Sequence, residues 1–316
     1  MAADAAAEWM AAMRRGDFAA AYAISDRVLA GRDPRFRDDP LLPYHQRWVW
    51  DGRPLDGADV LIRCYHGLGD TLQFARFVPA IARRAASVAL EAPAPLLPLL
   101  AALDGVRLIP FDVTRPTPAP SPGCDVEIME LLEICRPQPD RLPPPLALPA
   151  VAPLDAGTGA IGLCWEAGDW DRARSVPLPA MLAAMPPSRA LVSLQRGAAA
   201  RDARDPRFLN PGDSSSDLLR TAGLIAGTEM VVTVDTMVAH LAGTLGKPVR
   251  LLLRRDADWR WMAGRDDTPW YPSVQLYRQD VEGDWSLPLQ RLAASLAGSA
   301  PGGQWTSTNC SPRLKT

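Results

Sequence analysis

Prolines crowd one stretch of this chain, and that stretch decides how the rest can be organised. Between Arg136 and Gly159 stand Pro137, Pro139, Pro143, Pro144, Pro145, Pro149 and Pro153. Proline has no backbone N–H to give to a helix or a sheet, and it fixes its own φ. Regular structure therefore does not cross residues 137–158, which read as a linker. The 316-residue chain is thereby divided into two parts, each large enough for its own core.

Both parts alternate strand-like and helix-like segments. Before the linker, the apolar run 59–65 (DVLIRCY) ends at Gly67-Leu68-Gly69-Asp70, and a helix is predicted from near Thr71 with Leu72, Phe74, Ala75, Val78 and Ile81 on one face. Strands are predicted at 87–91, 106–110 and 125–129, with a helix at 95–103. After the linker, strands are predicted at 160–165, 190–194, 230–234 and 249–253, with helices at 178–185, 216–227 and 236–246. Such alternation favours parallel sheets, so the expected fold is α/β, with Rossmann-like lobes over 56–136 and 159–300. Residues 1–55 read as a helical hairpin (3–15 and 18–30, broken at Gly16-Asp17) and a connecting loop carrying Trp48 and Trp50. The G-D-F-x-x-A-x-x-I pattern at 16–24 fits one tetratricopeptide unit; a hairpin that caps the next domain fits equally well. Residues 301–316 read as a disordered tail.

Composition narrows the function. A formal net charge of −2 provides no basic field for nucleic acid. Cys64, Cys124, Cys135, Cys164 and Cys310 are scattered, with no C-x-x-C pair and no histidine at zinc-ligand spacing, which suggests reduced thiols and a cytoplasmic address. No segment approaches the roughly 18 apolar residues of a membrane span. Peripheral contact with the inner face of a membrane stays open, although no basic amphipathic stripe supports it.

Three turns carry candidate chemistry. At Gly67-Leu68-Gly69-Asp70-Thr71, a glycine turn at a helix start lets backbone approach an anionic ligand. Asp70 there has two readings: a helix cap, or a general base on an acceptor hydroxyl. Asp235, Thr236 and His240 follow a strand at the sheet edge where open α/β folds hold ligands; a cap plus a buried structural histidine is the competing reading. The third turn, 165–175, brings Arg172 and Arg174 forward, and Gln195-Arg196 repeats the arrangement one strand later. Guanidinium groups suit phosphate oxygens, while a solvated charged loop is the alternative. Asp256-Ala257-Asp258 follows a later strand and reads as a loop, not a metal motif.

Four segments in order, G-L-G-D-T-L-Q-F-A-R-F at 67–77, V-S-L-Q-R-G at 192–197, V-T-V-D-T-M-V-A-H-L-A-G-T-L-G-K-P-V at 232–249 and D-W-R-W-M-A-G-R-D-D-T-P-W-Y-P-S at 258–273, resemble the heptosyltransferase-like glycosyltransferases of family 9. The likeness is nearest to members linked to tetratricopeptide repeats. It implies a GT-B fold, with the donor on the C-terminal lobe and the acceptor mainly on the N-terminal lobe. By resemblance, Asp70 matches the acidic residue of the G-x-G-D turn, the family's proposed base, and His66 is an alternative base. Gly69, Arg172, Arg174, Gln195, Arg196, Asp235, Thr236, Met237 and His240 would line the donor, and Gln73 and Arg76 the acceptor. Met237 stands where many members have Gly or Ser, and Glu166-Ala167-Gly168-Asp169 brings acid beside an expected phosphate.

The function so implied is inverting, metal-independent transfer of a hexose or heptose from a nucleotide-diphospho-sugar to a glycan, lipid-linked or protein acceptor, with no cofactor. Two alternatives remain: a non-catalytic GT-B scaffold that binds a protein partner through the hairpin or the Trp-rich segment 259–270, and a nucleotide-sugar epimerase or hydrolase.

Overall fold

A computed structural model describes residues 2–111, 123–168, 171–210 and 216–297. The expected tail at 301–316 lies outside the described residues. Helices α1 (Ala2–Arg14) and α2 (Phe18–Ala30) form the hairpin, and Asp17 caps α2 by accepting the Ala20 N–H at 3.1 Å. An irregular segment leads into the first lobe, whose strands are β1 (Asp59–Arg63), β2 (Ser87–Pro93), β3 (Val106–Phe111) and β4 (Cys124–Glu127). They make one parallel sheet in the order β3-β2-β1-β4.

Proline shapes the helices of this lobe. The helix expected from Thr71 begins earlier, as α3 (Leu68–Phe74), tightens into a 3₁₀ turn at Ala75–Phe77 and resumes as α4 (Val78–Ala82). Pro79 lacks an N–H and its ring opposes the carbonyl of residue 75, so an unbroken α-helix cannot pass. Pro95 and Pro98 likewise shorten the helix expected at 95–103 to a 3₁₀ turn and α5 (Leu97–Leu100). Helix α6 (Leu131–Cys135) then leads into the proline-rich stretch, which carries only one 3₁₀ turn, at Pro139–Arg141.

The second sheet contains β5 (Ile161–Cys164), β6 (Leu191–Ser193), β7 (Met230–Val234), β8 (Val249–Leu253) and β9 (Val274–Arg278), all parallel, in the order β6-β5-β7-β8-β9. Both β7 and β8 are buried along their whole length, as expected for a parallel sheet covered on two faces. The helices are α7 (Leu178–Ala183), α8 (Leu218–Gly227), α9 (Met237–Thr244) and α10 (Ser286–Ala297). The sequence reading placed no element beyond residue 253, so β9 and α10 are additions. No described helix is long and apolar enough to cross a membrane.

One hydrophobic core runs without interruption from the hairpin through the first lobe into the near face of the second, while the far face of the second sheet has its own core around Leu163, Met181, Val232 and Leu292. The three parts meet at Trp270, whose ring lies 6.2 Å from Phe18, 5.9 Å from Phe74 and 6.1 Å from Trp259. Trp259, Trp261, Trp270 and Tyr271 are all buried, so these aromatics lock parts of the chain together and offer no exposed binding face. The hairpin's inner surface is spent in the same way. Trp9 meets Trp259 edge-on, the Tyr22 hydroxyl donates to Pro137 O at 2.6 Å, and Ser25 donates to Glu133 at 2.7 Å.

Truncating Trp270 to alanine is expected to destabilise the chain by about 3–5 kcal/mol in urea unfolding. Trp270→Phe should cost clearly less, because the indole N–H has no partner among the described residues. A Trp270→Ala change of under 1 kcal/mol would show that the three parts do not share a core.

Candidate functional site

Where strand order reverses in an open α/β sheet, neighbouring loops part and leave a crevice at the carboxyl ends of the strands. In the second lobe that switch falls between β5 and β7, so the loop after β5 and the start of α9 flank it. Arg174 reaches across: its Nη1 donates to the Asp235 carbonyl at 2.8 Å and lies 3.9 Å from the Asp235 carboxylate. Asp171 steadies the same loop by accepting from Arg254 Nη1 at 2.8 Å. Thr236 caps α9, accepting the Val238 N–H at 3.3 Å, and half-buried Met237 opens that helix. Burial pushes the Asp235 carboxyl up to about 6, with Asp258 adding to the rise. Arg172 lies on the exposed side of the Arg172–Arg174 turn.

Gln195 sits beside this edge as a brace. Its Oε1 accepts the N–H groups of Trp165 and Glu166 at 3.0 and 2.9 Å, and its Nε2 donates to Glu166 O at 3.1 Å. Its polar atoms are thus spent on holding the loop after β5. Half-buried Arg196 donates to Ser216 O at 3.2 Å. An open cavity of about 460 Å³ lies along the loop, lined by Trp165, Glu166, Ser175, Leu178 and Asp202.

The two lobes touch directly. At Gly69 a Cβ would lie 2.7 Å from His240 Cδ2 and 3.4 Å from Met237 Cα, so only glycine lets α3 approach α9 this closely. His240 is buried, stacks on Trp261 with ring centroids 5.4 Å apart, and places Nδ1 3.1 Å from the Tyr271 hydroxyl. That burial drives its imidazole down to about 4, so it is neutral near pH 7.

Arg260, within the single 3₁₀ turn Trp259–Trp261, is the polar centre of the contact. Its Nη2 donates to Asp70 Oδ1 at 2.6 Å, its Nη1 to Asp258 Oδ1 at 2.9 Å and its Nε to Gln73 Oε1 at 2.9 Å. The other Asp70 oxygen accepts the Gly67 N–H at 2.9 Å, so the carboxylate also caps α3 from inside its first turn. Burial works to raise the Asp70 pKa, but Arg260, the neighbouring His240 and His66 and the Gly67 N–H together outweigh it and hold the group below the usual carboxylate range. Gln73 is fully buried, and Arg76 is nearly so, donating to Gln73 O and Trp270 O at 2.8 and 2.9 Å. Both belong to the packing between the lobes, although Gln73 Nε2 and Arg76 Nη2 have no hydrogen-bond partner among the described residues.

His66 stands apart from that packing, on the loop after β1, with Nδ1 3.0 Å from Glu127 Oε1. Sequence reasoning missed Arg260, Arg254 and Glu127. A buried arginine signals itself only through its carboxylate partners, and Asp70 lies far from Arg260 in the chain. Glu127 was read merely as a residue of its strand.

No family model matches the chain. Among curated proteins, Protein FlbA of Caulobacter vibrioides is 31% identical over 84 residues, which are 27% of this chain and 14% of FlbA. The aligned part is thus a small fraction of that relative's length. Among solved structures, the E. coli ADP-heptose lps heptosyltransferase II superposes with a TM-score of 0.51 at 15% identity, over 76% of this chain and 98% of that one. The glycosyl transferase family 9 protein of Veillonella parvula gives a TM-score of 0.50 at 11% identity, over 72% and 87%. The class of fold is therefore GT-B, two facing α/β lobes with parallel sheets, as in heptosyltransferase structures. At this level of identity the likeness is one of architecture.

Two expectations follow. Replacing Arg260 with alanine leaves Asp70 and Asp258 facing each other's charge without a cation, at a cost of about 2–4 kcal/mol in urea unfolding; the partial exposure of Asp258 (37%) keeps the figure below that of a fully buried pair. An unchanged stability would show that the cluster does not hold the lobes. His240 contributes an acid-side loss. Its folded pKa is lower than its unfolded one, so the unfolded chain takes up the proton first. Stability from this group is intact above about pH 6.5 and falls by roughly 3 kcal/mol as pH drops to about 4. Thermal melts of His240→Gln should show a shallower acid limb than the parent; a limb of equal slope would refute the assignment.

Proposed function

We propose that the chain is a glycosyltransferase that takes its sugar from a nucleotide-diphospho-sugar, inverting the anomeric centre without a metal ion. The reading rests on one observation above all: Arg174 meets the N-terminal end of α9 at the switch point of the second lobe, within the fold of solved heptosyltransferases. A guanidinium and the amide ends of a helix together suit the negative charge that develops on a departing diphosphate. Arg254, tied to the same loop through Asp171, adds a second cation nearby. The cavity beside Trp165 and Glu166 is of a size that houses small ligands. On the first lobe, Asp70 and His66 are the two side chains at the facing edge able to take a proton from an acceptor hydroxyl. A glycan, a lipid-linked sugar or a protein hydroxyl would all satisfy that chemistry, and a cytoplasmic setting would supply the donor.

A second reading is favoured by the contact between the lobes. Arg260 neutralises Asp70, and Gly69 rests against His240, so the seam is filled where the two substrates of a transferase would meet. A GT-B scaffold that binds without turnover would have this appearance.

Calorimetric titration with ADP, UDP and GDP separates these readings. Micromolar binding of one diphosphate, weakened at least about tenfold by Arg174→Ala, is expected for the transferase, because charge-assisted bonds to phosphate are each worth about 1.5–3 kcal/mol. A folded chain that binds none of the three would leave the scaffold reading in place.

A further inference from the structure

The switch point of the first lobe lies between β1 and β4, and it carries its own constellation. His66 follows β1, and Glu127 is the last residue of β4. The Nδ1 of His66 is buried and lies 3.0 Å from Glu127 Oε1, a charge contact not aligned as a hydrogen bond, while the side chain as a whole remains 24% exposed. Glu127 cannot turn away. Its Oε1 accepts the Tyr65 N–H at 3.2 Å, its Oε2 accepts the Met129 N–H at 2.7 Å, and it is 1% exposed. A buried carboxylate fixed behind a partly exposed imidazole is the arrangement that orients a histidine for proton transfer.

Asp70 lacks that freedom. One of its oxygens is held by the Gly67 N–H and the other by Arg260. A carboxylate kept ionised by a buried guanidinium is a weak acceptor of an alcohol proton, and taking one would leave Arg260 undercompensated.

We propose that His66, oriented by Glu127, is the general base of the transfer, and that Asp70 is a positioning residue that holds the Gly67 turn and Arg260 in place. The assignment rests on the glycosyltransferase reading above. In the step, the acceptor O–H gives its proton to His66 Nε2 while the acceptor oxygen forms a bond to the anomeric carbon. The bond from that carbon to the diphosphate oxygen breaks, and its electron pair leaves with the nucleoside diphosphate. The imidazolium then returns its proton to solvent, so the net products are glycosylated acceptor, nucleoside diphosphate and one proton.

Three charged groups face His66: Glu127 from β4, Asp70 from α3 and Arg260 from the Trp259–Trp261 turn. Burial and Arg260 lower its pKa, Glu127 and Asp70 raise it, and the rise prevails, so the free base accumulates at a pH above the ordinary histidine value.

The test uses the full chain and follows nucleoside diphosphate release from a panel of ADP-, GDP- and UDP-sugars, with simple glycosides and alcohols as acceptors. His66→Gln is expected to lower kcat by about 10²- to 10⁴-fold with diphosphate affinity unchanged. Glu127→Gln should shift the acid limb of kcat/KM to lower pH, and Asp70→Asn should shift it the same way but by less, because Glu127 raises the His66 pKa more than Asp70 does. NMR titration of the parent chain, which has only three histidines, should give a His66 midpoint above about 6.5, independently of whether any variant folds. Turnover that survives His66→Gln, a limb lying in the carboxylate range, or a His66 midpoint below the ordinary value overturns the assignment and leaves the transferase reading standing. A parent chain that turns over no donor overturns both.

Discussion

A single guanidinium, sealed between two lobes, sets the terms for much of this molecule. Arg260 brings a positive charge into a nearly dry seam, where it is tolerated only because Asp70 and Asp258 supply opposite charge and Gln73 a further acceptor. Desolvation offsets most of the attraction in such clusters, so their value lies less in net stability than in penalising every arrangement that separates the partners. The relative placement of α3 and α9 is therefore narrow. Gly69 tightens it further, since the contact with His240 has no room for a Cβ.

The two sheets turn their switch points to different chemistry. The second lobe gathers guanidinium groups and the start of a helix, a setting for negative charge. The first gathers carboxylates around one imidazole, a setting for accepting a proton. Group transfer from a phosphorylated donor to a hydroxyl needs both. Gln195 belongs to neither set, because it holds the loop after β5 in shape while the arginines beside it carry the charge.

The α/β character and most strands were legible because strand-forming runs alternate with helical spacing on both sides of the prolines, whereas the helix breaks at Pro79 and at Pro95 and Pro98 were not read. Residues 254–297 were read for the Asp256-Ala257-Asp258 loop and the Trp-rich motif, so β9 and α10 went unassigned; the pairing of Val274 with Val249 is a tertiary fact. At the site, the glycine turn and the Asp235-Thr236 edge stood out because local chain geometry marks them. What could not be read was which polar groups cancel one another. Asp70 looks equally available as a cap or a base until Arg260 is placed against it, and Glu127 gains meaning only through a neighbour on an adjacent strand. Gln73 and Arg76 follow a motif associated with ligands, yet their burial reflects the docking of the lobes, which no local pattern encodes.

The hairpin at the N-terminus has a consequence for how the chain comes into being. Phe18 finds its partner in Trp270, about 250 residues later, and Trp9 finds its own in Trp259. At ribosomal speeds of roughly 5–20 residues per second, the first two helices emerge about 12–50 seconds before the surface that covers them exists. Closing so large a loop is slow, and in the interval the apolar stripe of Phe18, Tyr22 and Ile24 faces water. The hairpin is thus made well before the surface that finishes it, and its exposure during synthesis invites chaperones and self-association alike.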